Sequence, residues 1–392
     1  MSTKRLTLAL ALLFATPALA QADPVTTVAA RMKAFPVAQS IERADAYTPA
    51  ETVKGRPRAL ALAQDMGGID PAALAAAQAY ADAQNSFAFV VFRDGKVVHE
   101  RYAAGFTAAS RFSPASMAKA VAALAFGTAR IPLDARIDRW LTEWKGDPRG
   151  AITVRQLLTM SSGLEVVGFS PDPAGKSMQL QFGPAVTQTA LSFKAVAAPG
   201  SAFQYGNVNT QLAALILERA TGQRFATLLS RRIWQPIGAS DAALWLDREG
   251  GTAKLWCCLQ ATARDYGRIG QLILDRGRSG GRQVVPAAWI KAMTSPAATN
   301  PNFGLQLWLG SPYVAERRYN SSSPLAIKSA KPFARDDVVF MDGAIGQRVY
   351  IVPSERLVIV RIGKSSMNWD DSELPNRVLA GISAAGATAL RR

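Results

Sequence analysis

The sequence predicts an α/β fold of the α+β kind. An antiparallel sheet is built from both chain ends and flanked by helices, and a mainly helical subdomain is inserted between the two halves. Three observations predict it. A helical run and two β-rich runs lie early (69–102), a mainly helical block fills 131–294, and strand-like runs return after residue 303 before a closing helix. One sheet that takes strands from both ends satisfies this order. The expected division is a leader at 1–20, an irregular lead-in at 21–68, an α/β subdomain at 69–110 and 295–392, and a helical subdomain at 111–294.

The leader has the build of a signal peptide. Lys4 and Arg5 precede an apolar run from Leu6 to Phe14, and Ala18-Leu19-Ala20 offers a small-residue cleavage site, with Ala22 as a close alternative. No twin-Arg pair is present, so general secretion to the periplasm or the medium is expected. No later stretch reaches the roughly 20 apolar residues of a membrane helix, so no membrane span is expected.

Several proline-containing, aperiodic stretches make 23–68 read as extended lead-in. Ile69-Asp70-Pro71 then starts a helix, with Asp as cap and Pro at the first turn, running to Asn85. Phe87–Phe92 and Lys96–Tyr102 are strands joined by a turn at Arg93-Asp94-Gly95. Ala118–Ala129 is an apolar helix. Thr153–Met160, Asn209–Thr221 (stopped by Gly222) and Thr262–Arg276 are further helices. Residues 165–200 are rich in Pro, Gly, Ser and Gln and read as a long functional loop. Phe303–Leu309, Val338–Met341, Val349–Val352 and Leu357–Ile362 read as strands, and Leu374–Ala389 as the closing helix.

Composition narrows the chemistry. The formal charge is +16, but Arg and Lys are scattered without a long run or interleaved aromatics, which argues against nucleic-acid binding. The only cysteines, Cys257 and Cys258, are adjacent; two buried thiols are favoured over a vicinal bridge. His99 is the only histidine. A multi-histidine zinc site is therefore excluded, and a Ser-His-Asp triad would have to use a residue that reads as strand surface. No metal or cofactor is expected.

Ser116-Met117-Ala118-Lys119 is the only S-x-x-K in the chain. At that spacing on a helix the hydroxyl and the amine share a face. A serine becomes a nucleophile when a neighbouring base takes its proton, and a lysine can be that base if burial lowers its pKa. Alone, the motif is also an ordinary helix start. Tyr205-Gly206-Asn207, the only Y-x-N, sits in a turn before a helix and offers a second proton carrier and an amide. Beside a charged lysine, the Tyr205 pKa is expected below its usual value. Gly343-Ala344-Ile345-Gly346-Gln347 heads a strand, where small residues let a substrate lie against the backbone. The Ser116 and Ala344 N–H groups are the expected oxyanion donors.

In this order the S-x-x-K helix, the Y-x-N turn and the glycine-rich strand entry resemble the serine β-lactamase and penicillin-binding-protein superfamily. The nearest branch is the class C-related one, with β-lactamase-fold esterases and 6-aminohexanoate-dimer hydrolases. Ile152–Leu164 and Pro199-Gly200 with Phe203-Gln204-Tyr205 resemble its connecting segments, and the likeness spans about 69–389. The resemblance implies a β-lactamase-like fold, Ser116 as acylated nucleophile, Lys119 as its proton partner and Tyr205 as proton relay. It places Asn207, Gly343, Ile345, Gly346 and Gln347 at the substrate. Penicillin-recognising members carry Lys-Thr-Gly where this chain has no cation. That departure favours a small-molecule ester or amide over a penicillin. The alternatives are a β-lactamase or D-amino-acid peptidase, and a non-catalytic envelope-binding protein of the same fold.

Overall fold

Two Asp-Pro steps start helices. In the computed structural model, which describes residues 23–382 except Pro114, Phe169, Ser322, Pro324 and Ile345, Asp23 caps α1 (Pro24–Ala34) by accepting from the Thr26 N–H. The expected leader lies outside the described residues. A short strand, β1 (Ala50–Val53), follows α1. The expectation of an irregular lead-in is thus corrected: Asp23-Pro24 carries the same local signal as Asp70-Pro71, and β1 is ordered by pairing with a strand far along the chain. Asp70 accepts from the Ala72 N–H and opens α2 (Pro71–Ala83).

β2 (Ser86–Arg93) and β3 (Lys96–Tyr102) form an antiparallel hairpin through Asp94 and Gly95, both at positive φ. After β4 (Arg111–Phe112) comes a single 3-10 turn, Ala115–Met117, and then α3 (Ala118–Ala129). Thr153 and Gln156 close a capping box at the start of α4 (Val154–Leu158). The segment expected to be one long loop contains α5 (Lys176–Phe182) and α6 (Val186–Leu191). Its buried Met178, Leu180, Phe182 and Val186 order it by packing rather than by propensity. α7 (Asn207–Thr221) ends at left-handed Gly222 and is followed by α8 (Phe225–Leu229). β5 (Ala242–Trp245), β6 (Leu259–Thr262), α9 (Ala263–Leu274), β7 (Arg278–Ser279), β8 (Arg282–Gln283) and α10 (Ala287–Met293) complete the middle of the chain.

β9 is only Trp308–Leu309, shorter than the expected strand. Gln306 takes φ +58° and turns its N–H to the Leu158 carbonyl, which breaks the extended run. β10 (Glu316–Arg318) and β11 (Ala326–Lys328) form a small hairpin. β12 (Val339–Gly343), β13 (Gln347–Val352) and β14 (Leu357–Gly363) are consecutive antiparallel strands. α11 (Glu373–Ala380) closes the described chain earlier than expected. Gly381 follows it, its carbonyl accepting from the Asp70 N–H 2.9 Å away.

The main sheet has the order β3-β2-β14-β13-β12-β9, so both chain ends build it, and every pairing is antiparallel. Ile359 lies opposite Val91, and Tyr350 opposite Ile359. Alternate residues face opposite layers. Val90, Phe92, Val349, Ile351, Val358 and Val360 join the core beneath α9 and α3. Phe89, Val91, Tyr350, Val352 and Ile359 join a second core with Leu74 of α2 and Leu374 and Val378 of α11. A second sheet, β1-β5-β6-β4, carries the strand that leads into the Ala115–Met117 turn.

α9 approaches the sheet through glycines. A Cβ on Gly267 would stand 2.2 Å from the Phe92 ring, and one on Gly270 would stand 2.5 Å from Val358. Gly267→Ala should therefore lower stability by about 1–3 kcal/mol through overpacking, read as a drop in the urea midpoint. An unchanged midpoint would show that α9 can move off the sheet freely.

Candidate active site

Ala115 has φ +51°, an uncommon conformation for a residue with a Cβ. Ser116 follows it in the 3-10 turn, about one turn ahead of Lys119 in α3. α3 is apolar throughout, and Lys119 is only 2% exposed. Its Nζ lies 2.8 Å from Ser116 Oγ, 2.9 Å from Asn207 Oδ1 and 2.8 Å from the Trp256 carbonyl oxygen. Asn207 is the first residue of α7, and Trp256 lies in the loop before β6. Three segments therefore meet on one nitrogen: the Ser116 turn, the Tyr205–Asn207 start of α7, whose Tyr205 ring centroid is 5.0 Å from Nζ, and the Trp256 loop.

Burial pushes the Lys119 pKa down to about 7, with the Asp342 charge opposing part of that fall. The geometry suits the neutral amine. With two N–H groups on the Asn207 and Trp256 oxygens, a neutral amine here would have its lone pair left for the Ser116 hydroxyl proton. The expected fall in the Tyr205 pKa is corrected: Tyr205 is raised well above the usual phenol value. Burial is the main cause and the charge of Asp342 adds to it, while a hydrogen bond with Ser116 pulls the other way. A lysine lowered to about 7 is at most a partial cation at neutral pH. Tyr205 is therefore a protonated donor facing the serine.

Ser116, Tyr205, Asn207 and Ala344 line one cavity of about 690 Å³. Its other walls are mostly apolar, with Val167, Leu180, Phe193, Trp256 and Leu325 among them. Glu165 is the only charged side chain among the described lining residues, and Lys176 is paired to it. α5 supplies Leu180 and Gln181, so the segment expected to be a loop forms a wall of this cavity.

Three residues expected at the substrate do not line the cavity, and that part of the expectation is corrected. Gly343 is buried, its carbonyl accepting from Arg348 Nη1 at 2.9 Å. Gly346, at φ +102°, lies against Arg361 and Trp369. Gln347 is fully buried and uses its amide on both backbone groups of Gly363. Ile345 lies outside the described residues. Arg348 points away from the cavity into a buried ion pair with Asp371. His99 is half-buried on β3 against Phe89. Cys257 and Cys258 are joined as a vicinal disulfide, not held as two thiols.

Sequence reasoning missed Trp256, Tyr319 and Asp342. Trp256 and Tyr319 have no spacing signal toward Ser116. Asp342 had one: in the β12–β13 hairpin it stands opposite Arg348, an acid–base pair that spans the glycine-rich turn.

Comparison with known proteins bears on this arrangement. The Beta-lactamase family model matches residues 72–379. The chain belongs to the Beta-lactamase family. Within the family, a 6-aminohexanoate-dimer hydrolase from Paenarthrobacter ureafaciens is 29% identical over 222 residues, 53% of this chain and 56% of that protein. Esterase EstB from Burkholderia gladioli is 33% identical over 153 residues, 33% of this chain and 37% of that protein. The matches thus span less than two thirds of either curated relative. A solved structure from Bacillus anthracis, provisionally named a 6-aminohexanoate-dimer hydrolase, superposes with a TM-score of 0.69 at 23% identity, covering 90% of this chain and 94% of that one. A family VIII carboxylesterase gives 0.60 at 17% identity, covering 82% and 98%. These two structures show that the Beta-lactamase fold is shared.

The buried lysine has a consequence for stability. Its folded pKa, about 7, lies below the unfolded value near 10.4. Below about pH 7 both states are charged, and the cost of burial is felt in full. Between about pH 7 and 10 the unfolded chain holds the extra proton, so stability rises with pH. Lys119→Met should lose that rise. Urea unfolding of both proteins from pH 6 to 10 checks it, and parallel profiles would contradict the assigned charge state.

Proposed function

We propose that the protein is an exported serine hydrolase that cleaves an ester or amide through an acyl-enzyme on Ser116. One observation carries this reading: the Lys119 amine is buried and lies within hydrogen-bond distance of Ser116 Oγ, Asn207 Oδ1 and the Trp256 carbonyl oxygen. The names of the relatives, an esterase and a 6-aminohexanoate-dimer hydrolase, support the same class.

In this mechanism Lys119 takes the Ser116 proton as Oγ attacks the substrate carbonyl. The Ser116 and Ala344 N–H groups stabilise the oxyanion. Tyr205, kept protonated by burial, donates to the leaving alkoxide or amine and regains a proton from Lys119. The same pair then activates water, whose attack releases the acid and restores Ser116. The apolar cavity takes a neutral acyl or leaving group. With no cation lining it among the described residues, a substrate carboxylate has no partner there, which sets the penicillin and peptidoglycan readings behind the ester or amide reading.

Ser116→Ala should abolish hydrolysis of a p-nitrophenyl ester, and persistent turnover would remove the mechanism. In the parent, kcat/KM should rise with pH through an apparent pKa of about 7, because the active lysine is the deprotonated one. Fast turnover of nitrocefin at low concentration would move the β-lactamase reading ahead of the esterase one.

A further inference from the structure

Behind the catalytic centre lies a buried set of four charges that the mechanism does not yet use. Arg317 comes from β10, Asp342 from β12, Arg348 from β13 and Asp371 from the segment before α11. None is more than 7% exposed. Arg317 Nη1 donates to Asp342 Oδ2 at 3.0 Å, and its Nη2 to Asp371 Oδ2 at 2.8 Å. Arg348 Nη2 donates to Asp371 Oδ1 at 2.6 Å, while its Nη1 is paired with Asp342 Oδ1. Two guanidinium groups and two carboxylates make the set neutral overall.

The set reaches the active site through Asp342. β12 packs against the turn that holds Ser116. The Tyr319 hydroxyl hydrogen-bonds Asp342, and the Tyr319 ring lies 5.1 Å from that of Tyr205. The Arg317 guanidinium, itself bonded to Asp342, sits 5.3 Å from the Tyr319 ring. Arg348 Nη1 also holds the Gly343 carbonyl, the residue before Ala344. Charged and titratable groups around Lys119 are thus Asp342 from β12, Tyr205 from the turn before α7, Tyr319 and Arg317 from the β10 hairpin, Arg348 from β13 and Asp371 from the segment before α11. Lys254, in the loop that also supplies Trp256, turns away and donates to the Gln181 carbonyl at 2.7 Å.

We propose that Asp342, held between Arg317 and Arg348, is a positioning residue that sets the charge state of the Lys119–Tyr205 pair. A carboxylate there favours the ammonium form of Lys119 and the neutral form of Tyr205. The two arginines hold that influence in check. Without them the lysine would stay charged and could not accept the serine proton; without Asp342 the phenol would give up its proton more easily. The direction of the Asp342 effect on both groups agrees with this.

The proposal rests on the serine-hydrolase reading, and one experiment separates their failures. A fluorophosphonate phosphonylates an activated serine: the Ser116 Oγ–P bond forms, fluoride leaves, and the serine proton passes to Lys119. Its labelling rate, followed from pH 5 to 10, reports the acid limb set by the lysine. Asp342→Asn should move that limb down by about one pH unit. Arg317→Met should move it up, because more of the Asp342 charge is then felt. A merely structural role would lower rates in both variants without moving the limb in opposite directions. Removing one member of a buried ion set can unfold a protein. The charge-balanced Asp342→Asn, Arg317→Met double variant, which keeps the Arg348–Asp371 pair, should also have its limb below the parent's, with a native circular-dichroism spectrum. A limb at the parent's position in Asp342→Asn or in the double variant overturns the role of Asp342. Absence of labelling in the parent overturns the acyl-enzyme reading and this proposal with it.

Discussion

The arrangement depends on one amine kept out of water. A lysine in water is charged at neutral pH and cannot take a proton from an alcohol. Lys119 escapes that limit because α3 is buried along most of its length and Nζ sits among Ser116, Asn207, the Trp256 carbonyl and the Tyr205 ring. Removing a charge from water is unfavourable by several kcal/mol, so the group lowers its pKa instead of carrying the charge inside. Each contact has a second role. Asn207 and Trp256 fix the direction of the two N–H groups, and that direction leaves the lone pair for Ser116. A lysine equally buried but free to rotate would have the right pKa without the right aim.

The main sheet makes this convergence hold. β12 and β13 come from the far end of the chain and pair through β14 with β2 near its beginning. The sheet is packed on both faces, so its register cannot slip by one residue without exchanging the two cores. That rigidity places Ala344 on the same cavity as Ser116 and brings Asp342 against the turn that holds the serine. The cavity's other walls come from the helical segments, α5 above all. α1 packs beside α5, and Arg31 of α1 donates to the Phe182 carbonyl at the end of α5 at 2.9 Å. The N-terminal segment therefore supports the wall of the Ser116 cavity from outside, and no described residue of it lines that cavity.

What could be read from the sequence was what is local. The Asp70-Pro71 cap, the Asp94-Gly95 hairpin and the Gly222 stop each act within a few residues, and the structure has all three. The Ser116–Lys119 contact was legible for the same reason, being one helical turn. Asp23-Pro24 shows that a local signal can be passed over when its surroundings look irregular. α5 and α6 were hidden differently: both are short, and the Gly and Pro residues around them (Gly175, Gly183 and Pro184) make the stretch read as a loop, whereas tertiary burial orders them. The Tyr205 pKa was misread because the sequence shows which charges are near but not how dry the site is. Burial raised the phenol and also pulled down the pKa of the very lysine whose charge was expected to lower it. Gln347 was placed at the substrate by motif likeness, whereas only the three-dimensional register shows its amide turned onto Gly363.

Electrostatics also explains why a catalytic amine and a buried ion set can be neighbours. An unpaired carboxylate at the position of Asp342 would favour the charged form of Lys119 and so oppose the proposed chemistry. Two unpaired arginines would instead drive a proton off Tyr205 and leave no donor for the leaving group. Pairing them in a neutral set shrinks both effects to a residual that the geometry can adjust, while the guanidinium hydrogen bonds stiffen the strand end ahead of Ala344. A charge set of this kind gives little net stability compared with apolar packing. Under the proposed mechanism its place beside the turn that holds Ser116 makes more sense as a device that balances two proton affinities than as a prop for the fold.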